Sequence, residues 1–119
     1  MKKLIKISAL TAVLGLSSLA AQAQTEVQFW HSMTAVNGEW VNDLAKDFNA
    51  KQKEYKIVPT FKGTYDESMT AAVAAFRAGN APHILQVFEV GTATMMASKG
   101  AIVPVGQVMK DACEKFAPT

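Results

Sequence analysis

The chain has 119 residues, half of them hydrophobic, with 12 Lys and Arg against 10 Asp and Glu and a single cysteine, Cys113. One cysteine excludes an intrachain disulfide. A net charge of only +2 excludes the broad basic surface that nucleic acid or an anionic membrane would require.

The first residues read as an export signal. Lys2, Lys3 and Lys6 form a positive n-region, residues 7–20 an apolar stretch, and Ala21-Gln22-Ala23 the small residues that a signal peptidase reads. Cleavage is expected after Ala23, in the pattern of a secretory signal peptide over 1–23. The apolar stretch falls short of the roughly 20 residues that span a bilayer, so it predicts a cleaved signal rather than an anchor. No cysteine adjoins the cleavage point, so a soluble periplasmic product is expected, without lipid anchor or direct membrane insertion. The three signal lysines leave without any acidic residue, and 96 residues remain with 9 basic and 10 acidic groups, net −1. The basic character of the full chain therefore belongs to targeting. What remains suits one modest domain, with no linker, repeat or low-complexity tract.

From Gln24 onward extended and helical periodicities alternate. Glu26 to Trp30 alternates polar and apolar residues and predicts a first strand. Asn37-Gly38 can open a helix in which Trp40, Leu44 and Phe48, with Val41 and Ala45 beside them, form one buried face, and Asp43, Lys46 and Asp47 the wet side. Tyr55 to Phe61 predicts a second strand, with Pro59 marking an edge because it cannot donate a ladder bond. Lys62-Gly63 turns the chain, and Thr64 with Glu67 matches a capping box. The helix that follows shows Met69, Ala72, Val73 and Phe76 on one face and ends at Gly79-Asn80, with Pro82 preventing a restart. Ile84 to Phe88 predicts a third strand, apolar enough to be central in a covered sheet. A short helix over Thr92 to Ser98 closes at Gly100, and Ile102 to Val105 is briefly extended. Val105, Val108, Met109, Ala112 and Phe116 mark a last helix, in which Cys113 reads as a small apolar residue rather than a reactive thiol. The order βαβαβα, with one helix more, predicts an α/β fold with a parallel sheet flanked by helices.

In such a sheet ligands gather beyond the C-terminal ends of the strands. Three segments should meet there: Trp30-His31-Ser32, Gly63-Thr64-Tyr65 and Glu89. Aromatic faces stack on the C–H surface of polyols, and a carboxylate accepts hydrogen bonds from vicinal hydroxyls, so the set suits a small hydroxylated solute. Each residue has a plainer role open to it. Glu89 can serve its helix's positive end, Tyr65 and Trp30 can cover the core, and His31 can be a hydrogen-bonded loop residue. His83, beside Pro82, reads as a loop or edge residue. Nucleophile elbow, zinc helix, phosphate loop and calcium loop are all absent, which argues against an enzyme and gives no catalytic, metal or cofactor site.

Several runs resemble the periplasmic solute-binding proteins of carbohydrate-type ABC importers. They are Phe29 to Met33, Tyr55 to Thr60, Lys62 to Tyr65, Ala74 to Pro82 and Ile84 to Met96, the last two long and specific. The resemblance covers essentially all of 24–119. It implies the start of the first lobe of a two-lobed type II binding protein that closes on its solute about a hinge. It also implies sn-glycerol 3-phosphate, and related glycerophosphodiesters, as solute, with permease subunits as partners. On the matching motifs the family's ligand contacts fall at Tyr65 and Glu89, the carboxylate holding glycerol hydroxyls. No phosphate-gripping residue has a counterpart here, and Gly100 before Ala101-Ile102 departs from the pattern. Two other readings are a truncated fragment that does not bind and a small secreted phosphoester hydrolase using His31.

Overall fold

The alternation in Thr25-Glu26-Val27-Gln28-Phe29-Trp30-His31 produces strand β1 (Thr25–His31), and this strand is the centre of the sheet. The computed structural model describes residues 24–114, so the signal-peptide reading, Phe116 and Pro118 lie outside the described residues. Strand β2 (Tyr55–Phe61) pairs with β1 on one side and β3 (Ile84–Leu85) on the other, both parallel, in the order β2-β1-β3. Every β1 residue has a partner in β2, from Thr25 opposite Tyr55 to His31 opposite Phe61. Partners in a parallel pair share a face, which puts Phe29, Pro59 and Ile84 on one side and Trp30, Thr60 and Leu85 on the other.

Helix α1 (Ala35–Lys51) carries the chain from β1 to β2, and α2 (Tyr65–Arg77) carries it from β2 to β3. Helices α3 (Glu89–Ala97) and α4 (Val105–Asp111) follow. The α/β class and the parallel sheet flanked by helices are as the sequence predicts. Among the described residues the buried apolar side chains are Val41 and Ala45 on α1 and Ala72 on α2.

Pro59 sits in the edge strand, and its missing N–H costs no ladder bond. Two residues earlier the Ile57 N–H and C=O both face away from β1, bonded to the Asn49 side chain at 2.7 and 2.9 Å. By the period of the strand the Pro59 nitrogen faces outward too. Before β2, Gln52 takes the N–H groups of Glu54 and Tyr55 on its Oε1, each at 2.8 Å, and so shapes the entry turn. At the end of α2, Gly79 is left-handed (φ 75°), and the Asn80 N–H reaches the Ala75 carbonyl at 3.0 Å while the Gly79 N–H reaches Phe76 at 3.1 Å. That is the Schellman arrangement which satisfies the last carbonyls.

Several expectations are corrected. The line Trp40, Leu44 and Phe48 is not buried: Trp40 is 63% exposed. Helix α1 rests on the sheet through Val41 and Ala45, which turns the neighbouring line about 100° aside. Those three side chains border an open apolar groove of about 450 Å³ with Phe29, Met33, Ile57 and Ile84. Among the described residues β1 takes the central place, and strand β3 has β1 on one side and no strand on the other. It is also two residues long, since beyond Leu85 only the Gln86 N–H still reaches β1, at Trp30 O. Helix α1 begins at Ala35, before Asn37, and α3 begins at Glu89, before Thr92. Residues 102–104 form no strand. Phe76 is exposed, and the interior of α2 is instead Ser68 and Ala72. Cys113 lies beyond the end of α4 in the left-handed region (φ 58°), exposed, with the Glu114 N–H closing onto Met109 O at 2.8 Å. It caps a helix rather than packing within one.

Candidate functional site at the strand ends

Three turns converge where the parallel strands end. After β1, the Ser32 N–H donates to Gln86 Oε1 at 2.9 Å, and the Met33 N–H donates to His31 Nδ1 at 3.3 Å. After β2, the Lys62 N–H donates to the His31 carbonyl at 2.9 Å, so the chain leaves the strand still attached to β1. The Lys62 ammonium lies 3.9 Å from the centre of the Trp30 ring, a cation–π contact at the same edge.

Gly63 then takes φ +85°, a conformation that strains any other residue, and the space its side chain would fill is held by the Glu67 carboxylate. That carboxylate accepts from the Thr64 N–H at 2.7 Å and from the Thr64 hydroxyl at 3.1 Å. The Glu67 N–H in turn donates to Thr64 Oγ1 at 3.3 Å, completing the predicted capping box. The hydrogen bonds from Thr64 hold the Glu67 carboxyl below its ordinary range. With this cap formed, Tyr65 becomes the first residue of α2.

After β3 the chain passes through Gln86 and Val87 without regular structure, and Phe88, extended, is the residue immediately before α3. Its ring stacks on that of Tyr65, with centroids 5.0 Å apart and planes inclined by 27°. Glu89 follows as the first residue of α3, exposed. It makes no ion pair among the described residues, where the one salt bridge joins Lys56 to Glu26 at 3.1 Å. Gly91 is buried where α3 meets α2, and a Cβ there would lie 3.2 Å from the Met69 sulfur and 3.6 Å from the Phe88 ring.

The structure therefore places Tyr65 and Glu89 at the C-terminal end of the sheet, each opening a helix. Tyr65 is half-buried against Phe88 while the Glu89 carboxylate stands free, with the helix partial charge behind it. A phenol and a carboxylate so placed offer one donor and several acceptors to a hydroxylated solute. Trp30 is half-buried and belongs to this end through Lys62. His31 does not join them. It is 3% exposed, on the opposite sheet face among Phe29 and Phe61, with ring centroids at 5.7 and 6.1 Å, and burial pushes its pKa down. Its Nδ1 is taken by Met33, so His31 is hydrogen-bonded as the plainer reading has it, but as the buried last residue of β1 rather than in a loop. His83 stands at the β3 edge as expected, with Nδ1 accepting from the Gln28 N–H at 3.0 Å. Among the described residues no group of three His, Cys, Asp or Glu is placed to hold a metal ion.

Sequence reasoning missed Phe88, Gln86 and Lys62. Phe88 had a signal, since it directly precedes a candidate ligand residue at a strand-to-helix corner. Gln86 had none, because its partner lies 54 residues away.

No family model matches the chain. Relatives carrying the description sn-glycerol-3-phosphate-binding periplasmic protein match nearly all of it. The one from Brucella suis biovar 1 is 50% identical over 115 residues, covering 96% of this chain and 27% of the relative. One from Escherichia coli is 55% identical over 115 residues, covering 96% of this chain and 26% of the relative. One from Brucella abortus is 50% identical over the same share of this chain. The resemblance read in the sequence thus holds. Over 96% of its length the chain is similar to the N-terminal portion of these binding proteins, and it spans about a quarter of the length of the curated relatives it matches.

Proposed function

We propose that this chain supplies part of the solute site of an ABC importer's periplasmic binding protein, with sn-glycerol 3-phosphate as solute and Tyr65 and Glu89 as contacts. Residues 24–119 are, on this reading, the beginning of its first lobe, and residues 1–23 the signal that exports it. The single observation that supports it most is the stack of Tyr65 on Phe88, which sets the phenol beside the residue that precedes Glu89.

The chemistry follows from the two groups. The Glu89 carboxylate accepts hydrogen bonds from the vicinal hydroxyls of the glycerol moiety, and the Tyr65 hydroxyl donates or accepts one more. The reading of this pair as a binding site rather than a catalytic one is supported by the relatives, which are named as binding proteins. Closure of a second lobe over the solute strengthens these bonds by removing water, and the closed form is what permease subunits would receive. Glycerophosphodiesters carry the same glycerol moiety and are the next solutes to test.

The test is calorimetry with sn-glycerol 3-phosphate on the 119-residue chain and on a chimera in which residues 24–119 replace the matched quarter of the Escherichia coli relative. The chimera should bind. Glu89→Ala within it should weaken binding by about 30-fold, or about 2 kcal/mol, because solute hydroxyls stay buried and unpaired. The Tm of the ligand-free protein should barely move. If Tm falls while affinity holds, Glu89 serves only its helix terminus.

A further inference from the structure

We propose that Phe88 is a positioning residue that makes Tyr65 and Glu89 a single preorganised pair; the inference rests on the solute-binding reading above. Tyr65 follows β2 and Glu89 follows β3, and these strands are not neighbours, because β1 lies between them. The ladders to β1 set the spacing of the two strands, but Tyr65 and Glu89 lie in helices beyond the strand ends, where no ladder joins them directly. The link is made by side chains. The Phe88 ring lies on the Tyr65 ring at 5.0 Å, and Phe88 is bonded through its own peptide to Glu89.

Both ends of this link are anchored. Two residues before Phe88, Gln86 is held twice, to β1 through its N–H on Trp30 O and to the residue just after β1 through its Oε1 on the Ser32 N–H, both at 2.9 Å. Three residues after it, buried Gly91 lets α3 approach Met69 of α2, with the Phe88 ring alongside. Tyr65 is fixed from below by the capping box at Thr64 and Glu67. Between these anchors the stacked rings remove the rotamer freedom of the phenol before any solute arrives, which is where preorganisation gains affinity. Offset aromatic pairs at this separation prefer such an arrangement.

Filling space and setting direction are separable. Phe88→Leu keeps an apolar side chain and loses the aromatic face, whereas Phe88→Tyr keeps both. In the chimera described above, Phe88→Leu should weaken binding of sn-glycerol 3-phosphate by about 10-fold with little change in ligand-free Tm, and Phe88→Tyr should bind within about 2-fold of the parent. In a Tyr65→Ala background, Phe88→Leu should have no further effect on affinity, as a coupling cycle requires of a residue acting through Tyr65. Parent-like binding by Phe88→Leu would overturn the inference and leave the solute reading intact. So would a loss of affinity in Phe88→Leu that Phe88→Tyr shares, or one that persists without Tyr65. A chimera that fails to bind, when the Escherichia coli relative binds, would overturn both.

Discussion

The two flanks of β1 are built differently. Toward β2 the backbone does the pairing, residue for residue from Thr25 to His31. Toward β3 only Phe29–Ile84 and Trp30–Leu85 pair, and side chains extend the seam in both directions. Before β3, His83 brackets Gln28, its N–H on the Gln28 carbonyl at 3.1 Å and its ring on the Gln28 N–H. After it, Gln86 brackets the gap between Trp30 and Ser32. A long ladder fixes a strand; a short one reinforced by side chains fixes a corner. The corner is what the candidate site needs, since Phe88 and Glu89 leave the sheet directly from it.

This contrast can be broken at either flank. The largest effect is expected at the β2 flank, where Asn49→Ala removes both bonds to Ile57. At about 1 kcal/mol for each half-buried bond, unfolding in urea should show a loss of about 2 kcal/mol. Site affinity in the chimera should be unchanged, because the ladder from β2 to β1 remains. At the β3 flank Gln86→Ala removes one bond and should cost only about 1 kcal/mol. It should nonetheless weaken solute binding more than Asn49→Ala does, and the Ser32 amide should exchange faster with solvent. If Asn49→Ala costs affinity and Gln86→Ala does not, the division of labour between the flanks is wrong.

The smallest effect is a pH dependence. Burial lowers the folded pKa of His31 from its ordinary 6.5, so the unfolded chain takes up its proton first as pH falls. Stability from the neutral form is then fully present above about pH 6.5, declines below it, and levels off once the folded state is protonated too. The Glu67 carboxyl, also lowered, contributes above its ordinary value of 4.5 and loses that contribution as pH falls through its folded value. Tm measured against pH should therefore fall in two stages, and His31→Asn should remove only the upper one.

Much of the fold was legible because its signals are local. The span of β2, the box at Thr64 and Glu67, and the stop at Gly79 each depend on residues a few positions apart, and each forms as read. Tyr65 and Glu89 were legible as strand-end residues for the same reason, and the structure puts both beyond the C-terminal end of the sheet. What failed was the inference from apolarity to burial. The Ile84 to Phe88 run is apolar, yet among the described residues only β1 lies beside it, and only its first two residues pair. Likewise Trp40, Leu44 and Phe48 keep helical spacing, yet the helix settles on the adjacent Val41 and Ala45. The side-chain brackets at Asn49, His83 and Gln86 were illegible. A Gln or Asn looks the same in a sequence whether it meets solvent or completes a sheet.

Asn49 has one more consequence. An uncovered β-strand margin invites an extended segment of another molecule to add itself, the first step toward fibres or swapped assemblies. Here the groups of Ile57 that such an intruder would seize are already occupied by an amide from the preceding helix, and the ring of Pro59 offers nothing to grasp two positions on. Among the described residues, the outer rim of this sheet is thus closed to recruitment at its midpoint by two residues.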